Sequence, residues 1–196
     1  MYVDNVPFEF WLKNDHSNSR WKGKAGSCWI SDECIEWLIE MMADSTRDTY
    51  LEIGTFDGIA ISILAERYPL KTFIAVDAFK PGTNTAGGHF GYFVENNKHL
   101  NNVHLLRGES REVLGWLERR EARPDLIFVD GDHSRDGVFS DLCGSWDLIN
   151  EAGLVVCHDY GGMESVKKAV DEFTYLNGVP LHEAADIVYL IKGENR

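Results

Sequence analysis

Acidic and imidazole side chains stand at the ends of two apolar stretches in the second half of the chain. Asp130 closes the first stretch and is followed by His133, while His158 and Asp159 close the second. Two carboxylates that converge can hold a hard divalent cation such as Mg²⁺, which prefers oxygen ligands. A histidine with an ordinary pKa near ~6.5 can remove a hydroxyl proton at neutral pH. These residue types predict a site that activates a hydroxyl group.

The two histidines have alternative roles at the level of sequence. His133 fits a general base, with Asp130 as the second catalytic residue, or a cap on the helix that follows. His158 fits a base in a site without metal. The candidate metal ligands that the residue types alone give are the carboxylates of Asp130 and Asp159.

A second stretch whose residues could form a binding site is LEIGTFDG at 51–58, which has the pattern of a strand, a sharp turn and a helix start. In open α/β sheets ligands bind at such a turn. A dinucleotide site needs a glycine where this chain has Phe56, and Asp57 would repel a pyrophosphate. The amino-acid end of S-adenosylmethionine fits better. Its carboxylate can take helix N–H groups and the Thr55 hydroxyl, and Asp57 can attract its ammonium group or cap the helix.

Two further strand ends complete the predicted cofactor site. Asp77 follows the second apolar run, where a carboxylate can accept both ribose hydroxyls. Phe79 fits a cover for the adenine ring or an ordinary core residue, and Ser110 fits an adenine contact or a helix cap. The predicted cofactor-binding residues are Glu52, Gly54, Thr55, Phe56, Asp57, Gly58, Asp77, Ala78, Phe79, Gly108, Glu109, Ser110 and Asp130.

Short apolar runs that alternate with amphipathic stretches must position these residues, and this alternation is typical of parallel strands joined by helices. The predicted strands are Thr49–Gly54, Thr72–Phe79, Val103–Gly108, Leu126–Asp130, Leu154–His158, Leu181–Ala185 and Ile187–Lys192. Only Asp186 separates the last two strands, so we expect an antiparallel hairpin at one edge of the sheet. Ser31 predicts the N-cap of a helix over Asp32–Ala43.

Length and composition narrow the class of protein. The chain has 196 residues, of which 44% are hydrophobic and 26% charged, and this fits one globular domain. We expect a tryptophan-rich N-terminal arm or cap over 1–30, which could form a homodimer contact, and a core over 31–196. A net charge of −13 disfavours a nucleic-acid partner. Without a membrane-length apolar run, a signal-peptide pattern or C-x-x-C spacing, we expect a cytoplasmic protein with reduced thiols.

Four segments together resemble the class I S-adenosylmethionine-dependent methyltransferases: Leu51–Gly58, Val76–Phe79, Gly108–Ser110, and Asp125–Val138 running on to Gly153–Tyr160. The most specific piece, DLIFVDGDHS followed by GLVVCHDY, is similar to the small-molecule O-methyltransferase branch. That branch includes natural-product sugar methyltransferases and is related to catechol O-methyltransferases. The resemblance implies a Rossmann-like, doubly wound α/β sheet of seven strands, mostly parallel with an antiparallel last strand and helices on both faces. It also implies methyl transfer to an oxygen.

The resemblance carries roles for the second site as well. In the metal-dependent enzymes that the chain resembles, the first ligand matches Asp130, and an acidic or amide pair follows at the end of the fifth strand. Here Asp159 matches, but His158 or Tyr160 replaces its neighbour. The metal ligands that the resemblance implies are Asp130, His158 and Asp159, and metal dependence on Mg²⁺ or Mn²⁺ stays open. A nitrogen ligand would shift the metal preference from Mg²⁺ towards Mn²⁺, Fe²⁺ or Zn²⁺. His133 stands where the catechol-type enzymes have a catalytic lysine.

Four functions compete at this stage. The leading hypothesis is an O-methyltransferase for a small polar or hydroxylated molecule, and the alternative is a catalytically silent module that binds S-adenosylmethionine or S-adenosylhomocysteine. Phe56 and Asp57 disfavour an NAD-linked oxidoreductase. The charge and the lack of an Asn-Pro-Pro-Tyr motif disfavour a nucleic-acid methyltransferase. The Gly-rich stretch Lys80–Tyr92 is either a lid over the substrate or a plain exposed loop.

Overall fold

A computed structural model describes residues 2–3, 6–7, 23–26, 28–80 and 86–194. Most of the expected arm and part of the Gly-rich stretch lie outside these residues. The strands are β1 Tyr2–Val3, β2 Val6–Pro7, β3 Thr49–Ile53, β4 Thr72–Asp77, β5 Val103–Arg107, β6 Leu126–Val129, β7 Leu154–His158, β8 His182–Ala184 and β9 Ile187–Ile191. The helices are α1 Asp32–Met42, α2 Ile59–Arg67, α3 Ala86–Asn97, α4 Ser110–Glu118, α5 Arg135–Leu148 and α6 Glu164–Asn177.

The order of the strands brings the candidate residues to one edge of the sheet. The described residues form a seven-stranded sheet in the order β5-β4-β3-β6-β7-β9-β8, and a separate two-stranded sheet of β1 and β2. Neighbours from β5 to β7 run parallel. The chain builds outwards from β3 on one side and then returns to its other side with β6. The switch point therefore lies between β3 and β6, where ligands bind in such sheets.

The predicted hairpin forms one lateral edge of the sheet, beside β7. β9 pairs antiparallel with β7, and β8 pairs antiparallel with β9 as the outermost strand. The predicted seven-stranded, mostly parallel sheet is thereby confirmed, and the predicted strand ends agree with the observed ones to within two residues.

Alternation along each central strand explains why helices cover both faces. Leu51 and Ile53 of β3 pack on the side of α4, α5 and α6, whereas Tyr50 packs on the side of α1, α2 and α3. Helix α1 begins as predicted, because the Ser31 hydroxyl accepts the Cys34 N–H at 3.1 Å. Among the described residues, no helix is both long enough and apolar enough to cross a membrane.

Gly54, directly after β3, stands where the backbone leaves no room for a side chain. Its φ is +83°, and a Cβ added there would lie 2.1 Å from the carbonyl oxygen of Asp130. The close approach follows from the sheet, because the Asp130 N–H donates to the Ile53 carbonyl at 2.9 Å. Gly178, after α6, offers a comparison: its φ is +64°, but no atom lies within 4 Å of an added Cβ.

We expect Gly54→Ala to lower the free energy of unfolding by at least about 3 kcal/mol, because backbone strain and a backbone clash add. Gly178→Ala introduces the left-handed strain alone and is expected to cost about 1 kcal/mol. Urea unfolding of both variants measures the difference. Equal losses would show that the strand end at Asp130 moves away without cost.

Candidate active site

A cavity of about 670 Å³ opens at the carboxyl ends of the parallel strands. Its volume lies within the usual ~300–1,000 Å³ of small-molecule sites. Every residue that the sequence predicts for the site lines this cavity, from Glu52 on β3 to Asp159 after β7. The fold therefore brings the predicted cofactor loop and the predicted reactive groups into a single space.

Asp77 fixes the backbone on both sides of the cofactor half of the cavity. Its Oδ2 accepts the Phe56 N–H at 3.0 Å and its Oδ1 accepts the Phe79 N–H at 2.7 Å. Both phenylalanines have positive φ, +52° and +45°, so these bonds hold turns that L-residues rarely adopt. Burial raises the pKa of Asp77, although the two N–H groups oppose the rise. Each oxygen of the Asp77 carboxylate keeps a second lone pair that can accept a hydrogen bond. The predicted contact of Asp77 with the ribose stays a prediction, and these hydrogen bonds leave room for it.

Glu52 lies beneath the loop, 2% exposed. Tyr50 donates its hydroxyl to Oε2 at 2.7 Å, and Thr55 donates its hydroxyl to Oε1 at 2.8 Å. Burial raises the pKa of Glu52 to about 7 against the opposing effect of these two bonds. The hydroxyl proton of Thr55 is thus donated inside the protein, and the predicted contact of Thr55 with the carboxylate of the cofactor stays a prediction.

Asp57 is held from the side of α3 and does not cap a helix. Its side chain is 1% exposed and pairs with His89 Nδ1, whose ring stacks on Phe56 with centroids 3.7 Å apart. Asn96 donates to the Asp57 carbonyl at 2.8 Å. The N-cap of α2 is Gly58, which makes no side-chain capping bond. The alternative of Asp57 as a cap is therefore wrong, and its predicted contact with an ammonium group stays a prediction.

At the other end of the cofactor half, two side chains contact other residues of the protein. The Phe79 ring is 2% exposed and packs against Phe90 and Phe93, so that only its backbone can border an adenine. The Ser110 hydroxyl donates to Asp141 Oδ1 at 2.5 Å and does not cap α4. Burial raises the pKa of Asp141 to about 6 against the effect of this bond. For Phe79, the structure supports the alternative of a core residue.

The reactive groups meet between the ends of β6 and β7. His133 Nε2 lies 3.2 Å from Asp130 Oδ1 and 3.0 Å from Asp159 Oδ2. His158 Nδ1 lies 3.3 Å from Asp130 Oδ1 and 3.5 Å from Asp159 Oδ2. Asp159 has a φ of +61°, a strained turn that directs its carboxylate back to Asp130. Two carboxylates and two imidazoles therefore share one small volume.

The carboxylates favour the charged form of both histidines. The hydrogen bond to Asp130 and the charges of Asp130 and Asp159 raise the pKa of His133, although burial opposes the rise. Burial alone would lower the pKa of His158, but the nearby carboxylates raise it to about 9. A protonated imidazole cannot accept a proton, so positive charge near the carboxylates would favour the neutral form that a base requires. The predicted role of His133 as a general base stays a prediction.

The donor set fits a divalent cation. One ligand atom each from Asp130, His133 and Asp159 lies within 4.8 Å of the other two. Neighbouring ligands of a six-coordinate ion stand about 3 Å apart when each bond is about 2.1 Å, and the contacts of His133 have this length. Buried His158 Nδ1 has no hydrogen-bond partner among the described residues. Mixed oxygen and nitrogen donors suit Mn²⁺, Fe²⁺ or Zn²⁺ better than Mg²⁺.

Four residues that shape the site were not predicted as site residues from the sequence. His89 and Asn96 hold the cofactor loop from α3, Asp141 lies under Ser110, and Asp186 contacts His158. For the contact between Glu52 and Thr55 the sequence did offer a signal. Glu52 stands in an apolar strand, and a buried carboxylate requires hydrogen-bond donors such as Thr55. No comparable local signal marks Asp186.

The fold and the site lead to a class of protein. The chain belongs to a family described as "Methyltransferase domain", which matches residues 51–160. This stretch includes the loop after β3, the strand ends of β4 and β5, and the reactive groups after β6 and β7.

Two curated proteins are similar in sequence. "Uncharacterized protein R132" of Acanthamoeba polyphaga mimivirus is 28% identical over 118 residues, 57% of this chain and 51% of the relative. A tRNA (guanine-N(7)-)-methyltransferase of Lactobacillus acidophilus is 27% identical over 130 residues, 66% of this chain and 53% of the relative. The chain thus spans about half the length of the relatives that it matches.

The fold is shared with a solved O-methyltransferase. The Bacillus cereus O-methyltransferase in complex with S-adenosylhomocysteine superposes with a TM-score of 0.66 at 16% identity. The similarity covers 94% of this chain and 90% of that protein. Likeness at this identity shows a common architecture.

The buried Glu52 generates a prediction about pH. Its pKa is about 7 in the folded protein and 4.5 in an unfolded chain, so the folded state favours the protonated form. The stability that comes from this protonation is complete below pH 4.5 and is lost as the pH rises to about 7. The loss is on the order of 3 kcal/mol. Glu52→Gln mimics the protonated side chain and should remove this part of the pH dependence.

Urea unfolding of wild type and Glu52→Gln from pH 4 to pH 8 measures this difference. The two stability curves should diverge as the pH rises and run parallel above about pH 7. Curves that stay parallel throughout would contradict the buried, protonated Glu52.

Proposed function

We propose that this chain is an S-adenosylmethionine-dependent methyltransferase that transfers a methyl group to an oxygen of a small hydroxylated molecule. The observation that carries the proposal is the shared cavity, which is lined by the cofactor loop and by the cluster of Asp130, His133, His158 and Asp159. A methyl donor and a hydroxyl acceptor must meet in one space for an in-line transfer. The fold shared with an O-methyltransferase that binds S-adenosylhomocysteine supports the choice of cofactor and of oxygen.

In this proposal the cofactor half binds through backbone and carboxylate groups. Asp77 accepts the ribose hydroxyls while it keeps its bonds to the loop. Asp57, Phe56 and His89 border the amino-acid end. The Lys80–Glu109 ion pair, 2.8 Å long and exposed, stands beside the strand ends that border the adenine.

The reacting half holds protons and orients the acceptor. His133 keeps a proton at Nε2 between Asp130 and Asp159, and these carboxylates can accept hydrogen bonds from an acceptor hydroxyl. Asp130, His158 and Asp159 would hold a divalent cation, whose Lewis acidity would lower the pKa of the acceptor and whose charge would offset the carboxylates. With that charge offset, Nε2 of His133 can take the hydroxyl proton.

The acceptor faces an apolar wall and an acidic floor. Trp29 and Met163 line the mouth of the cavity and are 79% and 40% exposed. An exposed indole suits the flat face of a ring, such as a catechol or a sugar. Asp77, Asp130 and Asp159 in the same cavity repel phosphodiesters, which supports a small molecule over the tRNA substrate of the Lactobacillus acidophilus relative. Tight, salt-sensitive RNA binding would contradict this choice.

The wider setting belongs to the same proposal. We place the protein in the cytoplasm as a single domain over 1–196, and the arm over 1–30 as a cap that could form a homodimer contact. The four cysteines are free, which is consistent with a reducing compartment.

Replacing Asp77 tests the cofactor site. We expect Asp77→Asn to weaken the binding of S-adenosylmethionine and S-adenosylhomocysteine by about 10- to 100-fold, because a charged hydrogen-bond acceptor for the ribose is lost. Isothermal titration calorimetry gives the affinities. Asp125→Asn is a matched control, because Asp125 also accepts two backbone N–H groups, at 2.8 and 2.9 Å, but at the opposite edge of the sheet. Equal effects of the two variants would contradict a cofactor contact at Asp77.

Replacing Asp159 separates an enzyme from a silent binding module. Asp159→Asn should lower methyl transfer at least about 100-fold, because the reacting cluster loses a charge, while affinity for S-adenosylhomocysteine changes less than about twofold. Transfer of labelled methyl from S-adenosylmethionine to a panel of catechols and sugars is the assay. A wild type that binds the cofactor but methylates no hydroxylated acceptor would favour the silent module.

A further inference from the structure

The register of the edge hairpin places an acid beside the reacting cluster. In the antiparallel pairing of β7 with β9, His158 lies opposite Ile187. Asp186, one residue before, therefore stands at the open end of this ladder, next to the imidazole. Its Oδ2 lies 3.3 Å from His158 Nε2. The turn of β8 to β9 thus contributes a residue to a cluster otherwise built from the ends of β6 and β7.

The two ring nitrogens of His158 face different groups. Nε2 meets Asp186, while Nδ1 points between Asp130 and Asp159, at 3.3 and 3.5 Å. The side chain is 6% exposed, and within the described part of the chain Nδ1 is buried without a hydrogen-bond partner. A lone pair aimed at two carboxylates is unfavourable unless a proton or a cation lies between them. The ring is therefore oriented towards a positively charged occupant.

The carboxylate of Asp186 is itself held in orientation. Its second oxygen, Oδ1, accepts the Ser31 hydroxyl at 2.9 Å. Ser31 is also the N-cap of α1, where its oxygen accepts the Cys34 N–H. Ser31 at the start of α1 and His158 at the end of β7 thus each contact one oxygen of the Asp186 carboxylate, which connects these two elements.

We infer that Asp186 is a positioning residue that accepts the Nε2–H of His158 and so presents Nδ1 to a divalent cation held by Asp130 and Asp159. Histidine ligands almost always donate their other N–H to a carboxylate or carbonyl, which fixes the tautomer and the plane of the ring. The inference rests on the cation site of the proposed function. It adds a residue outside the methyltransferase stretch at 51–160 to the machinery of the site.

Calorimetric titration of Mn²⁺ into the full chain at one pH tests the inference. Asp186→Ala should weaken Mn²⁺ binding by about 10- to 100-fold, the usual effect of removing such a partner. Asp186→Asn should recover part of the affinity, because its amide oxygen still accepts the Nε2–H. Glu183→Gln removes one exposed negative charge from β8 of the same hairpin and should bind like wild type within twofold. Thermal unfolding of each variant verifies that the fold is retained.

A second measurement reports on the ring directly. Long-range ¹H–¹⁵N spectra of the metal-free protein should show a proton on Nε2 of His158 in wild type and altered ring-nitrogen shifts in Asp186→Ala. Unaltered shifts, an affinity of Asp186→Ala equal to that of wild type, or a wild type that binds no Mn²⁺ would each overturn the inference. A wild type that binds no S-adenosylmethionine, but whose Mn²⁺ affinity still depends on Asp186, would instead overturn the proposed function alone.

Discussion

The crowding of carboxylates at one edge of the sheet is the electrostatic constraint on which this site depends. Parallel strands place their carboxyl ends together, and here β3, β4, β6 and β7 all bring an acid to that edge. Like charges at such distances in a partly buried space cost several kcal/mol unless each is compensated. The side chains and N–H groups around the cavity stabilise these acids individually, through hydrogen bonds and ion pairs.

Each acid is compensated in a different way. Glu52 is held near neutrality by burial and receives two hydroxyl protons. Asp77 receives two backbone N–H groups, which also hold Phe56 and Phe79 at positive φ. Asp130 and Asp159 share two imidazoles. Stabilising the charge and shaping the cavity are therefore done by the same contacts, so that strain in the loop is sustained by electrostatics.

Sequence patterns predicted the positions of Asp77, Asp130 and Asp159 well, because each of them comes at the end of an apolar run and the strand ends of a parallel sheet meet. Orientation was harder to predict. Phe79 and Ser110 stand at the expected places, but their side chains turn to Phe93 and Asp141, since packing and rotamers decide this and spacing does not. Asp186 could be predicted as a turn residue only. Its contact with His158 depends on the pairing of His158 with Ile187, and the register of an edge strand is set by tertiary packing.

The two halves of the cavity differ in the groups that balance the negative charge of Asp77 on one side and of Asp130 and Asp159 on the other. Around Asp77 the donors are backbone N–H groups, which neither titrate nor leave. Around Asp130 and Asp159 the compensating charge is carried by protons on histidines, and a proton can be exchanged for a cation or passed to a ligand. The protonation of the reacting cluster can therefore change, because two imidazoles lie between Asp130 and Asp159.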